Sequence, residues 1–277
     1  FAKARPDSFT FNKPLDNLFS GKPLDVVAIP SAEKTLATLQ CYLQKQLQAR
    51  TLVSTHGKID LPKLCSVDIF FQWGITPNEN KIRQAKLARS LGKPVVIVED
   101  GFIRSLDIGL SGEPGLSIIL DDKTAYYDAT KESRLSLLLE HGRELTEAEK
   151  QRSVAAMEKI VSNKISKYNH APILPIKIGD PNRKKVLLVD QRFGDQSVTS
   201  GLADEHSFNR MLTDAINNNP DCDIIIKQHP DAIKGGKSSY FSNERVAFTQ
   251  NLPNVYIINY DINPYSLLDL VEDVYVV

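Results

Sequence analysis

Cysteine is scarce in this chain: three in 277 residues, Cys41, Cys65 and Cys222. An odd number at wide spacings excludes a disulfide framework and the paired spacing of a zinc site, and points to a reducing cytoplasm. Neither sign of charge dominates. Lysine plus arginine and aspartate plus glutamate number 34 each, so no overall field holds polyanionic nucleic acid by counterion release, and a bound anion must be met locally. No apolar run approaches the ~20 residues of a membrane-spanning helix, and no signal peptide is expected at the start. Attachment to a membrane surface through other regions stays open. Missing too are a fixed-period repeat, a low-complexity tract, a Walker loop and an Asp-x-Asp flanked for metal use. An ATPase is therefore not expected, and no metal site is assigned. The chain opens at Phe1 without methionine and stops on a strand-like VEDVYVV, which reads as part of a longer protein.

What is present suffices for a sizeable core. With 42% hydrophobic and 25% charged residues, the length allows two domains of about 100 to 150 residues each. LDVVAIP (24–30), TLVSTH, SVDIFFQWG and PVVIVEDG read as buried strands, with helices expected over Ser31 to Ala49 and ENKIRQAKLARSLG. GLSIILDDKTAYYDAT (115–130) is shorter and more broken, a hairpin or an irregular ledge, and helices are predicted over 131–141 and 146–169. Three prolines and a basic end in APILPIKIGDPNRKK mark a boundary, giving domains 1–170 and 171–277. Alternation then restarts through VLLVD, EHSFNRMLTDAINNNP, CDIIIKQHP, a glycine-lysine loop, NVYIINY, PYSLLDLV and VYVV. Strand and helix alternating in this way imply parallel sheets with crossover helices. The predicted fold class is α/β, two Rossmann-like domains facing across a cleft, with the C-terminal domain incomplete.

Open parallel sheets bind ligands at the carboxyl ends of their strands, and three such ends carry polar clusters. VIVED-GFIRS offers Glu99, Asp100 and Arg104: either a base with a partner that orients it or grips an anion, or a capping acid paired with an arginine. Glu99 directly follows VVIV and is expected to face the crevice. VLLVD-QRFGDQS ends on Asp190, which can bond loop amides, and then presents Gln191, Arg192, Asp195 and Ser197. Asp195 can serve as nucleophile, base or turn residue, and Ser197 to Gly201 supply hydroxyls and amides of the kind that cradle phosphate or carboxylate. IIIKQ-HPD brings Lys227, Gln228 and His229. A histidine fixed by the following proline, with a lysine two residues back, suits a departing phosphate; a histidine bonded to backbone at a strand end is the alternative. Tyr126 and Tyr127 can stack on a sugar or fill core and rim. His56, His141, His170 and His206 read as surface or packing residues.

Taken together, Glu99-Asp100-Gly101-Phe102-Ile103-Arg104-Ser105, Leu120-Asp121-Asp122 with Tyr126 to Thr130, Asp190-Gln191 through Ser197, and Lys227 to Asp231 resemble the capsule polysaccharide β-Kdo transferases of the KpsC/LipB type, from about Trp73 onward. Retaining β-Kdo transferases acting on O-antigen are related. The resemblance implies a GT-B-like enzyme that moves Kdo from CMP-β-Kdo to a bacterial surface glycan or glycolipid by double displacement. It implies no cofactor beyond the CMP-Kdo donor, and a cytoplasmic protein that can sit peripherally at the inner face of the inner membrane. Carried onto this sequence, Asp195 is the nucleophile, Glu99 the base for the acceptor hydroxyl and His229 the group assisting loss of CMP, with Lys227 beside it. Arg104, Asp100, Gln191, Arg192, Ser197 and Gln228 are expected to bind substrate. One departure stands out: family members continue past the VYVV-type strand with a Thr-Ser-rich turn and a Gly-Phe-Glu helix. The competing expectations are an inverting nucleotide-sugar transferase and a non-catalytic polysaccharide-binding or export module.

Overall fold

A computed structural model describes residues 25–29, 39, 42, 51–54 and 61–277. Within these the chain divides into two compact units: one runs up to Arg104 and resumes over Pro114–Thr146, the other comprises Ser105–Glu113 and Glu147–Val277. The helix after Thr146 therefore counts with the second unit, ahead of the proline-rich segment where the sequence set its divide.

The first unit holds strands β1 (Asp25–Ile29), β2 (Thr51–Ser54), β3 (Ile69–Trp73), β4 (Val95–Asp100) and β5 (Ile118–Asp121), in the order β2-β1-β3-β4-β5. β1 to β4 pair in parallel; β5 runs antiparallel to β4, with Glu99 opposite Ile119. The broken stretch after Gly115 thus supplies an edge strand over Ile118–Asp121 and continues as turns. β3 is buried at every position and β4 over its first four, as expected of strands covered on both faces. Phe70 and Phe71 point to opposite faces and are both fully buried. Each contributes about 1.5–3 kcal/mol by leaving water. The helices are α1 (Leu61–Ser66), α2 (Glu79–Ser90) and α3 (Arg134–His141). Asn78 caps α2 by accepting from the Asn80 and Lys81 amides, and Ser133 caps α3 by accepting from the Ser136 amide. The helix predicted from Ser31 lies outside the described residues except at Leu39 and Tyr42, which are helical.

The second unit is built on β6 (Lys185–Val189), β7 (Asp223–Lys227), β8 (Val255–Ile258) and β9 (Asp273–Tyr275), all parallel in the order β8-β7-β6-β9. Counted along the unit this is 3-2-1-4, the winding of a mononucleotide-binding half, and the order reverses at β6. Ile224, Ile225 and Ile226 are fully buried. The helices are α4 (Glu147–Ser162), α5 (Gln196–Ser200), α6 (Glu205–Asn218), α7 (Pro230–Gly235) and α8 (Pro264–Leu268). α6 begins with a reciprocal capping box between Asp204 and Ser207 and buries Phe208, Met211, Leu212 and Ala215, an apolar stripe at helical spacing.

Two local expectations are corrected, and one element is added. The helix predicted to run to residue 169 stops at Ser162, because Lys164 takes a left-handed φ of 52° and the Ile165 amide closes onto the Ile160 carbonyl. The glycine-lysine loop contains α7, started by Pro230 in the first turn, where no amide is needed, and ended by Gly236 at φ 59°. α5 was not anticipated at all; its five residues are too few to show a period.

Candidate active site

At the carboxyl edge of the second sheet, where its strand order reverses, the segments leaving β6, β7 and β8 line a cavity of about 420 Å³. Gln191, Lys227, Gln228 and His229 all face it, together with Asp190 and Asp261. This is where helix N-termini and loop amides converge in open parallel sheets.

Asp190 is the hub of this edge. It is 1% exposed. Its Oδ1 accepts from the amides of Gln191 at 2.8 Å and Phe241 at 2.9 Å, and its Oδ2 from the His229 amide at 3.3 Å. Burial pushes its carboxyl pKa up, and those same amides oppose the rise. The side chain does what the sequence allowed for it, bonding loop amides, and in doing so it ties the β6 exit to the β7 exit.

His229 is the N-cap of α7. Its Nδ1 accepts from the Asp231 amide at 3.1 Å, so the neutral ring carries its proton on Nε2. Burial lowers the imidazole pKa, opposed by the charges of Asp231, Asp190 and Asp195 and reinforced by Lys167. Near neutral pH the ring is an uncharged donor. Beside it Lys227 donates to the Gln228 carbonyl at 2.8 Å, and burial brings its ammonium down to about 8 against the pull of Asp261 and Asp190. A cavity holding a fixed N–H donor and a poorly hydrated ammonium is suited to a phosphate. Gln228 also reaches this cavity, but its amide nitrogen is committed to the Phe241 carbonyl at 2.8 Å and Asn243 Oδ1 at 3.0 Å.

Asp195 is held differently. It caps α5, its Oδ1 accepting from the amide and hydroxyl of Ser197 at 2.9 and 2.8 Å; among the described residues its Oδ2 accepts no hydrogen bond. Gly194 precedes it at φ 71°, a conformation that favours glycine. Asp195, Arg192 and Ser197 do not line the cavity, yet the Asp195 charge is felt at His229. Arg192 Nη1 lies 4.0 Å from Asp231 Oδ2.

In the first unit Glu99 stands at the end of β4. The Tyr127 hydroxyl donates to its Oε1. Asp100 and Arg104 are bound to one another, Nε to Oδ2 at 2.9 Å, with Arg104 only 5% exposed; this is the paired arrangement the sequence left as its second option. Asp121 and Asp122 serve the turn, Asp121 accepting from the Lys123, Thr124 and Arg134 amides and Asp122 pairing with the Arg134 guanidinium. Tyr126 packs edge-on between Phe102 and Tyr127, at 5.3 and 5.2 Å. Gly101 sits where β4 leaves the sheet: a Cβ there would lie 1.9 Å from Ser117 Oγ and 3.0 Å from its backbone carbon. Gly101→Ala is expected to destabilise the first unit by about 1–3 kcal/mol. A thermal melt that leaves this unit unchanged would contradict the close approach.

Two groups escaped the sequence reading. His170 lies between Asp107 and Asp261, with Nδ1 and Nε2 at 3.3 and 3.5 Å from their carboxylates, and Lys234 approaches the same two acids at 3.4 and 3.0 Å. Lys81, in the first turn of α2, reaches the Trp73 carbonyl at 2.6 Å. Neither sits in a local motif; their partners are distant in the chain. Among the described residues no group of three or more His, Cys, Asp or Glu is gathered to hold a metal ion, and no helix is long and apolar enough to cross a membrane.

A family model described as capsule polysaccharide biosynthesis protein matches residues 68–178 and 176–277. The capsule polysaccharide modification protein LipA of Neisseria meningitidis, from serogroups A and B, is 38% identical over 210 residues, 74% of this chain and 29% of LipA. The lipopolysaccharide-processing protein LpsZ of Rhizobium meliloti is 33% identical over 211 residues, 75% of this chain and 46% of LpsZ. The chain thus spans under a third of LipA and under half of LpsZ. Among solved structures, KpsC of Thermosulfurimonas dismutans, described as a beta Kdo 2,4 transferase, aligns with a TM-score of 0.75 at 31% identity, covering 90% of this chain and 73% of that one. A second KpsC structure from that organism, a beta Kdo 2,7 transferase, aligns with a TM-score of 0.56 at 19% identity, covering 90% and 71%, a likeness of fold alone.

Proposed function

This chain belongs to the capsule polysaccharide biosynthesis protein family, and on that premise we propose that it forms part of a retaining β-Kdo transferase of GT-B type. The donor is CMP-β-Kdo and the acceptor a bacterial surface glycan or glycolipid. The observation that carries this reading is that His229, its Nδ1 taken by the Asp231 amide, and the buried Lys227 both line the cavity at the edge of β6 and β7. Together they suit the phosphate of a departing CMP. The solved β-Kdo 2,4 transferase, at 31% identity over 90% of this chain, supports the same donor sugar.

In this reading Asp195 Oδ2 attacks the anomeric carbon of Kdo while the bond from that carbon to the CMP phosphate oxygen breaks. CMP leaves with its new charge met by Lys227 and His229. The acceptor hydroxyl then attacks the same carbon, Glu99 takes its proton, and the aspartyl ester bond breaks to return Asp195. Two inversions retain the β configuration. The Ser197 bonds to Oδ1 orient the carboxylate and leave Oδ2 for attack. Each step gains from a preformed charge of the opposite sign: an anion beside an oxocarbenium-like carbon, and donors beside the leaving phosphate.

A second reading is favoured by one observation, the capping role of Asp195 outside the cavity lining. It is an inverting transfer with Glu99 as sole base. Incubating the full-length protein with CMP-Kdo and a Kdo-terminated glycoside, followed by linkage analysis and intact-mass measurement, separates the two. A β product and a Kdo adduct on Asp195 support double displacement; an inverted anomer with no adduct supports the second reading.

Donor binding is expected to depend on pH through Lys227. An anion needs the ammonium form, and a lysine brought down to about 8 loses that form as pH rises through this value. Affinity for CMP, measured by calorimetry, is expected to fall toward tenfold per pH unit above about pH 8, and Lys227→Met to bind weakly with a flat profile. A wild-type affinity constant from about pH 7 to 9.5 would remove Lys227 from the phosphate site.

A further inference from the structure

The end of β4 carries more than one acid. Glu99 is met there from β3 and from the loop after β5, and a lysine of α2 reaches the backbone beside it. The β3–β4 register sets Trp73 opposite Val98, and the Gly74 amide donates to the Val98 carbonyl at 2.9 Å, so Gly74 follows beside Glu99. A Cβ on Gly74 would stand 3.1 Å from Glu99 Oε1, and its φ of 65° is left-handed. The glycine therefore lets the carboxylate settle against backbone. From the loop after β5, the Tyr127 hydroxyl donates to that same Oε1. From α2, Lys81 turns back eight positions to donate to the Trp73 carbonyl at 2.6 Å, immediately before Gly74.

We infer that Lys81 and Tyr127 are positioning residues for Glu99, fixing its carboxylate in the ionised form and in one orientation at the end of β4 so that it can accept a proton. The inference rests on Glu99 being the base of the proposed transfer. Burying a lysine ammonium is costly unless an opposite charge answers it. Burial does lower the Lys81 pKa, and Glu99 is the charge that opposes the change. The interaction is mutual: what Glu99 does for the ammonium, the ammonium does for the carboxylate. A phenol donating to the carboxylate acts in the same direction, since it bonds the charged form better than the protonated one. On its own strand Glu99 neighbours Asp100, whose charge is answered by Arg104. Lys81 is thus a cation whose charge and that of Glu99 answer each other.

The test reads Glu99 directly. Full-length protein labelled with carbon-13 at glutamate Cδ is titrated by NMR, the Glu99 signal being identified by its loss in Glu99→Gln. Lys81→Met is expected to move the Glu99 midpoint to higher pH, Lys81→Arg to restore it, and Tyr127→Phe to move it in the same direction by less. Lys81→Gln replaces the methionine variant should that fail to fold. The acid limb of transfer from CMP-Kdo to a Kdo-terminated glycoside is expected to follow the NMR midpoint, with kcat/KM in Lys81→Met reduced roughly tenfold on that limb and much less on the plateau above it. An unmoved midpoint in folded Lys81→Met and Lys81→Gln overturns the inference while the base role of Glu99 stands. Wild-type transfer by Glu99→Gln overturns that base role instead, whatever the midpoint does.

Discussion

Asp195→Asn is expected to reduce transfer by about a thousandfold or more, with no Kdo adduct, while leaving the melting temperature close to wild type. The separation is possible because the two roles of this side chain use different chemistry. As cap of α5, Asp195 contributes an oxygen that accepts from the Ser197 amide and hydroxyl. Asparagine caps a helix about as well as aspartate, so the short helix persists. As nucleophile, the residue needs a carboxylate, and an amide cannot form the ester. Asp195→Ala is the control: it loses both roles and is expected to lower stability by about 1 kcal/mol as well. If the asparagine variant transfers at a rate near wild type, Asp195 is a cap alone and the single-displacement reading takes over.

Asp190→Ala should cost more stability than any substitution on the cavity wall. Three amides, of Gln191, Phe241 and His229, would lose their acceptor in a place water reaches poorly. At roughly 1–3 kcal/mol for each buried donor left unsatisfied, the loss is a large part of the 5–15 kcal/mol that holds a typical domain together. Asparagine is a milder change. Its single oxygen can serve the Gln191 and Phe241 amides, but its NH2 group then faces the His229 N–H. The pH dependence has a definite sign. A carboxyl whose folded pKa is raised above 3.8 favours the fold most while protonated, and that contribution is lost as pH rises from 3.8 through the folded value. The advantage of wild type over Asp190→Asn should therefore shrink as pH rises from 3.8 through the folded value, read by melting curves of the second unit. An alanine variant as stable as wild type would mean that Asp190 is not the tie between the two strand exits.

The sheets were largely legible in the sequence because their central strands are continuous apolar runs. VVIV, VLL and III are buried on both faces, and that pattern needs no partner to be recognised. The polar groups at their carboxyl ends were legible for the same reason, since a strand that ends marks where a ligand edge begins. Less was visible in how those groups are used. Asp100 with Arg104, and Gln228 with Phe241 and Asn243, satisfy each other, which depends on three-dimensional register. Lys81 resembles any basic residue in a polar helix turn until β3 brings it near Glu99. His170 has its two acids 63 positions before it and 91 after it, beyond the reach of any local pattern. The antiparallel β5 was masked by its own shortness, four residues with a mixed face.

The excursion of Ser105–Glu113 has a practical consequence. The peptide leaves the first unit after Arg104, is held in the second by the Ser105 amide on the Lys167 carbonyl and the Asn169 amide on the Leu106 carbonyl, and returns at Pro114. The backbone passes between the units three times, so neither is a single stretch of sequence. A protease nick in the exposed turn between α3 and α4 should yield two fragments that copurify under native conditions and separate in denaturant. Expressing residues after Thr146 alone would leave that half without a nine-residue piece of its own structure.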